Sequence, residues 1–319
     1  YNNSITNLKS IWSETSYAIQ KNRDNPECAD SESLIYSDLN YTGITYQLKF
    51  DPAKPFQITK GVKPKIAILR EQGVNGHVEM AAAFHLAGFE SFDVTMSDLL
   101  SGKHNINNFQ GLVTCGGFSY GDVLGAGSGW AKTILFNEKL KNDFIKFFHN
   151  PNTFSLGVCN GCQMLSQLKD LIPGADLWPR FFRNTSEQFE ARFVTVKVNK
   201  SPSILLKNMQ DSILAIACAH GEGLVTFQDS TSLNKNIDKN LVCMQFVDST
   251  GKPTERYPLN PNGSQLGATG FTTLDGRATI MMPHPERFFR SAQYSWKPKD
   301  WGEYGPWMQI FRAAKDFVK

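Results

Sequence analysis

Residues Phe154 to Leu165 read FSLGVCNGCQML, an apolar run and a helix-forming run with a cysteine at the corner. The run FSLGV has the look of a buried strand, and GCQMLSQLKDL that of the helix after it. Between them lies Gly157-Val158-Cys159-Asn160-Gly161, or G-x-C-x-G, the cysteine counterpart of the G-x-S-x-G nucleophile elbow. A nucleophile on a sharp strand-to-helix turn sits in strained backbone, and glycines two residues away on either side relieve the crowding. The turn sets the sulfur at a helix N-terminus, where the dipole favours thiolate over thiol. It also aims the Asn160 N–H at the place where an oxyanion would form. Taken alone, the motif fits a buried cysteine in a tight turn equally well.

The pattern spreads outward from this corner. From Lys65 the chain alternates strand-like and helix-like runs. KIAILR, FDVTM, GLVTC and FSLGV are expected strands, with a short polar link after FDVTM. HVEMAAAFHLAGF is an expected helix with Val78, Ala81, Ala82 and His85 on one side, and WAKTILFNEKLKNDFIKFF a single long one. Such alternation predicts an α/β fold, a flavodoxin-like parallel sheet with helices on both faces. After Pro179 the runs FEARFVTVKV, ILAIACA, LVCMQFV and RATIMM predict further, antiparallel strands, and WMQIFRAAKDFV a closing helix. Residues 1–63 differ. Leu8, Ile11, Trp12, Thr15 and Ile19 share one face of an expected helix, DNPECADSES is polar, GITYQLKF alternates like a short strand, and DPAKPF and GVKPK read as linker.

Bulk properties narrow the function classes. Of 319 residues, 41% are hydrophobic and 20% charged, and 33 basic residues nearly balance 30 acidic ones for a net charge of +3. No basic run marks a nucleic-acid footprint. No apolar run approaches the ~18 residues of a membrane span, and no signal peptide opens the chain. Six cysteines in a chain of this length do not suggest a disulfide framework, so a reducing, cytoplasmic setting is expected. Sequons at Asn184 and Asn262 are read as chance matches. Because the first residue is Tyr1 rather than Met, the chain is expected to be part of a longer polypeptide or a processed product.

Two further elements bear on Cys159. In Met281-Met282-Pro283-His284-Pro285-Glu286, two residues precede proline and are pushed into extended backbone. Residues i and i+2 of an extended segment face one side. Glu286 can then hold one imidazole nitrogen of His284 and leave the other for a thiol. The loop CGGFSYGDVLGAGSG after Cys115 lacks the glycines of a P-loop and does not complete G-x-G-x-x-G. It suits an oxyanion donor, with the Gly116-Gly117 backbone close to substrate. Cys159 and Cys162 also spell C-x-x-C, but no second pair or histidine cluster completes a zinc set, and a redox dithiol leaves the flanking glycines unexplained.

Together and in this order, these elements resemble a class I, triad-type glutamine amidotransferase domain. LREQGVNGHVEMAAAFHLAGFE, GGFSYGDVLGAG, GVCNGCQML, RNTSEQFEARF, AHGEG and MMPHPERFFR are similar to the glutaminase domain of the formylglycinamidine ribonucleotide synthase family, from about Lys65 onward. Residues 8–28 resemble the tail joining synthase to glutaminase in the large single-chain form. The resemblance divides the chain into a synthase tail and linker, 1–63, and an amidotransferase domain, 64–319. It implies Cys159 as nucleophile, His284 as general base and acid, and Glu286 as its orienter. It implies Gly117 and Asn160 as oxyanion donors with Gly116 as fallback, and Gln163, His220, Gly221, Glu222 and Gly223 around the glutamine. Glu187 and Arg192 fall in a family-like segment without an assigned role. No metal or cofactor is implied for this chain; ATP and magnesium belong to the synthase domains of the full-length chain, the implied partner besides glutamine. The alternatives are a γ-glutamyl peptidase or other cysteine hydrolase of the same elbow type, and a non-catalytic scaffold.

Overall fold

The computed structural model describes residues 3–56, 63–227 and 229–318. Part of the expected linker, Gly61 and Val62, lies outside the described residues. Two helices open the chain, α1 (Ile5–Arg23) and α2 (Pro26–Ser37). Then follow β1 (Lys65–Arg70), α3 (His77–Leu86), β2 (Glu90–Thr95), α4 (Met96–Leu100), β3 (Gly111–Thr114), α5 (Ser128–Leu135), α6 (Glu138–His149), β4 (Phe154–Val158) and α7 (Asn160–Gln167). The rest comprises β5 (Arg180–Phe182), β6 (Glu190–Val198), β7 (Ile213–His220), β8 (Leu224–Thr226), α8 (Ser230–Asp238), β9 (Val242–Phe246), β10 (Ala268–Thr272), β11 (Ala278–Met281) and α9 (Met308–Phe317).

Nine strands form one sheet in the order β2-β1-β3-β4-β11-β10-β9-β6-β7. The first five are parallel and the last four join antiparallel. This is the expected α/β class. The inner parallel strands are buried on both faces, which is why KIAILR and GLVT read as near-continuous apolar runs. The order reverses between β1 and β3, so the carboxyl ends of β1, β3, β4 and β11 open at one edge, where such sheets bind ligands.

Several expectations are corrected. Helix α3 buries Met80, Ala83 and Phe84, while Val78 faces solvent. Between two apolar layers, the larger side chains decide which face turns inward. The link after β2 is helical, because Thr95 and Asp98 form a reciprocal capping box. The long helix is two: Asn137 caps α6 by accepting from the Leu140 N–H, and the axis restarts there. DNPECADSES is mostly α2, since Asn25 caps and Pro26 takes the first turn, where a missing N–H is harmless. GITYQLKF makes only one bridge, Gln47 to Ile213.

The N-terminal segment packs against the antiparallel half of the sheet. Arg192 on β6 takes both carboxylate oxygens of Glu32 at 2.9 and 3.1 Å, and Glu190 at 2.6 Å. It also bonds the Tyr257 hydroxyl and stacks on that ring. Burial alone would lower the arginine pKa, but the two carboxylates raise it, so the guanidinium stays charged. Arg256 pairs with Asp38 at 2.8 Å. Arg192, whose role the sequence left open, thus fastens α2 to the sheet. Glu187 lies exposed in a turn with φ 60°, 3.9 Å from Arg183.

Candidate active site

Cys159 stands between β4 and α7 with φ 52° and ψ −110°, a region that side chains adopt only under constraint. The constraints are visible. Its N–H donates to Met281 O at 2.9 Å, tying the elbow to β11. A Cβ on Gly161 would lie 2.0 Å from Thr114 O, and one on Gly157 2.9 Å from Gly161 O. Both glycines of the motif are therefore required by close approach. The thiol is 5% exposed and faces Ala219 O at 3.5 Å.

Strand β11 runs parallel to β4 and ends at the same edge, which carries His284 to Cys159. The His284 N–H bonds Ala217 O at 2.9 Å and fixes the backbone. A Cβ on Gly116 would meet His284 Cε1 at 2.6 Å and Cys159 Cβ at 3.2 Å, so these three residues crowd together. Nδ1 of His284 lies 2.6 Å from Glu286 Oε1. The segment is not straight as expected: His284 is extended, but Pro285–Arg287 is a turn of 3-10 helix, and Glu286 reaches the ring nonetheless. His284 and Glu286 are both 1% exposed. Burial disfavours the imidazolium, yet the charges of Glu286 and Cys159 outweigh it and raise the His284 pKa to about 10. Nε2 makes no hydrogen bond of ordinary geometry among the described residues, so the ring is anchored on one nitrogen by Glu286 and leaves the other for Cys159, whose sulfur also raises its pKa.

The loop after β3 crosses this edge. Gly117 has φ 138°, and a Cβ there would strike Gly73 O and Val74 Cα at 2.6 Å. Its neighbours are pinned: Asn75 N–H donates to Gly116 O and Phe118 N–H to Gly73 O, each at 2.8 Å. The N–H groups of Gly117 and Asn160 donate to no group among the described residues, which leaves both available as donors.

The residues expected around the glutamine form a second wall. Gln163 is buried, and its carboxamide donates to Glu222 O at 2.6 Å and accepts from Asn160 Nδ2 at 3.2 Å. It supports the wall here rather than presenting a free amide. His220 turns inward, with Nδ1 3.3 Å from Cys218 Sγ and Nε2 3.2 Å from Asn262 Nδ2. Burial, then the nearby His284 charge, lower its pKa to about 3, so it is neutral. A Cβ on Gly223 would meet the His220 ring at 2.1 Å, while Gly221 faces open space. The Glu222 carboxylate accepts from Ala126 N–H at 3.1 Å. Sequence reading missed Asn184 and Asn262 as parts of this wall. Asn184 accepts from the Gly223 N–H and donates to His220 O. Both asparagines are buried, so neither is a surface glycosylation acceptor. Both fall in sequons and Asn184 in RNTSEQFEARF, but neither signal points to a wall that holds loop backbone and the His220 ring. Cys162 is wholly buried with its thiol pKa pushed up by burial. Among the described residues, no group of three or more His, Cys, Asp or Glu is placed to hold a metal ion, and no helix is long and apolar enough to cross a membrane.

Comparison with the PurLQS structure of Thermotoga maritima agrees on the fold. The chain is similar to the structure of PurLQS from Thermotoga maritima, with 21% identity, TM-score 0.60, and coverage of 81% of this chain and 100% of that one. A candidate GMP synthase component of Thermoplasma acidophilum gives 13%, TM-score 0.47, and coverage of 81% and 95%. A glutamine amidotransferase of Thermotoga maritima gives 16%, TM-score 0.39, and coverage of 71% and 77%. The family model of the CobB/CobQ-like glutamine amidotransferase domain matches residues 63–318, the stretch that holds the elbow, the loop and the histidine, and the chain belongs to that family.

Proposed function

We propose that this chain is a glutaminase of the Cys-His-Glu type that releases ammonia for a coupled synthase. The observation that carries the reading is the strained Cys159 beside a buried histidine, held on Nδ1 by Glu286 with Nε2 left to the thiol. The raised His284 pKa supports a protonated ring at rest, a cation and proton donor next to the Cys159 sulfur. The thiolate attacks the side-chain carboxamide carbon of glutamine. The N–H groups of Gly117 and Asn160 receive the oxyanion. His284 gives its proton to the leaving nitrogen, ammonia departs, and a γ-glutamyl thioester remains. Neutral His284 then takes a proton from water, the resulting hydroxide attacks the thioester carbon, and thiolate and glutamate separate. Glu286 orients the ring and stabilises its charge throughout.

The synthase is proposed from the sequence resemblance: ATP-dependent amidation of formylglycinamide ribonucleotide in purine biosynthesis, with ATP and magnesium held by synthase domains and residues 1–63 as the joining tail. Motifs from Leu69 to Arg290 support this. The setting proposed is cytoplasmic. The test compares glutamate release from glutamine with release from γ-glutamyl peptides, in the wild type and Cys159→Ala. Turnover of glutamine alone, lost in the variant, is expected. Preference for peptides would identify a peptidase, and no turnover with or without a synthase would identify a scaffold.

A further inference from the structure

Helix α7 does more than present Cys159. Positions 160, 163 and 167 share one helix face, and all three are carboxamides turned toward the loop of residues 116–127 or the wall it touches. Asn160 Oδ1 accepts from Ser119 N–H at 3.2 Å, and Nδ2 donates to Asp122 Oδ1 at 3.0 Å. Gln163 holds Glu222 O, and the Glu222 carboxylate holds Ala126 N–H. Gln167 Nε2 donates to Ala126 O at 3.1 Å. The helix that carries the nucleophile thus grips the loop at both ends. The loop needs that grip, because Tyr120 and Asp122 have φ of 53° and 54°, unfavourable for residues with a Cβ. Asn160 itself is 0% exposed, with its whole carboxamide spent on Ser119, Asp122 and, through Nδ2 at 3.2 Å, Gln163 Oε1.

We propose that the side chain of Asn160 is a positioning residue, a latch that sets the oxyanion loop against the cysteine elbow. Gly73 and Asn75 bond the residues on either side of Gly117, and the latch holds the next residue, Ser119, against the elbow helix, so it ties this braced peptide to Cys159. The backbone N–H of Asn160 and the loop it holds then move as one body with Cys159. The catalytic consequence rests on the glutaminase reading above; the latch itself does not.

Reversing the polarity of one hydrogen bond tests it. Asn160→Asp removes the donor and sets a carboxylate against Asp122. Asp122→Asn removes the acceptor. The double variant N160D/D122N restores a donor–acceptor pair in the opposite sense, with the net charge of the wild type. Asparagine tolerates the positive φ at 122, and a carboxylate suits the first turn of α7. Three quantities are measured on the whole chain: hydrogen exchange of the 117–127 amides by mass spectrometry, kcat and KM for glutamine, and the alkylation rate of Cys159 by iodoacetamide, which involves no oxyanion.

In N160D the loop amides exchange about tenfold faster or more, and kcat falls about 10²–10³-fold with KM little changed. D122N shows the same pattern, more weakly, and serves where N160D fails to fold. The double variant recovers loop protection and kcat to within about tenfold of wild type, with wild-type alkylation. Unchanged loop exchange in both single variants overturns the latch, as does a double variant no better than N160D. Loop exchange that follows the expected pattern in a chain that releases no glutamate, alone or with a synthase, overturns the glutaminase reading and leaves the latch standing.

Discussion

One torsion angle concentrates the chemistry of this chain. Cys159 holds φ 52° only because two glycines let the chain approach itself at 157 and 161. Under the proposed function, Cys159→Ala lowers kcat by about 10⁶-fold and Glu286→Ala by about 10⁴-fold, the spread seen when members of such a unit are removed singly. Steady-state glutamate release checks both, and a glutamine-like diazoketone labels Cys159 and not Cys162. A greater loss from Glu286→Ala than from His284→Ala would reverse the roles. The His284 pKa gives a pH signature in stability. A pKa raised from 6.5 to about 10 means the folded state binds the proton more tightly than the unfolded chain. The stabilisation is complete below 6.5 and fades as pH rises through 10. Glu286→Gln removes one of the charges that raise it, so the Tm gap between wild type and variant is widest below pH 6.5 and narrows toward pH 10. A gap that widens over that range contradicts the assignment. At this scale, the motif glycines made the strained corner at Cys159 legible, whereas the prolines did not keep the His284 segment straight: Pro285–Arg287 turns, and Glu286 reaches the ring by that turn instead. The orientation of His220 and Gln163 was not legible, since it depends on Asn184, Asn262 and Glu222, distant in sequence.

The elements show where local pattern suffices and where partners decide. Parallel strands β1, β3 and β4 announce themselves as short apolar runs because both faces are covered. Strand β10, ATGFT, is as deeply buried but carries a glycine that lies against Met244, and nothing local marks it as a strand. Helix α2 hides behind an Asn-Pro pair that reads as a turn until the cap is seen. Two substitutions test how the elements are joined. Gly161→Ala drives a Cβ to 2.0 Å from Thr114 O, and either β3 or α7 must shift. The expected loss is about 1–3 kcal/mol or more in urea unfolding, with glutaminase activity falling too. Arg192→Met leaves Glu32 and Glu190 facing each other without their cation. Removing one partner from such a buried cluster costs about 3 kcal/mol. Because the cluster fastens α2 to β6, limited proteolysis should cut within residues 3–56 of the variant before cutting the rest. A variant as stable and as resistant as wild type would show that the other contacts hold the segment unaided.

At the scale of the whole molecule, an apolar helix face stays uncovered among the described residues. Helix α1 formed where the periodicity of Leu8, Ile11, Trp12 and Ile19 placed it, yet that stripe faces outward, with Ile5 84% and Trp12 81% exposed. The side that packs on α2 is polar and small, with Ser13 buried. Scattered exposed apolar residues are ordinary, but a continuous helical stripe of them marks a contact surface. Under the proposed function that surface meets the synthase portion. A coupled enzyme wastes ammonia if it hydrolyses glutamine without an acceptor, so the chain alone should be slow. The structure bears on how this could be arranged. The Gly116–Gly117 peptide is held on both sides by Gly73 to Asn75, so flipping it breaks a formed bridge. A partner would act more easily on the exposed stretch beyond it, where Val123 and Leu124 face solvent. Glutamate release by this chain is therefore expected to rise about 10²–10³-fold when the synthase portion and its nucleotide ligands are supplied, the range of one oxyanion donor. Trp12→Asp, far from the elbow in sequence and on the exposed stripe, should leave the basal rate of the chain alone unchanged and weaken the synthase-dependent rise by at least tenfold at fixed synthase concentration. Equal, fast rates with and without the synthase would remove the gate from the account. A full rise in Trp12→Asp would show that α1 is not the surface through which the partner acts.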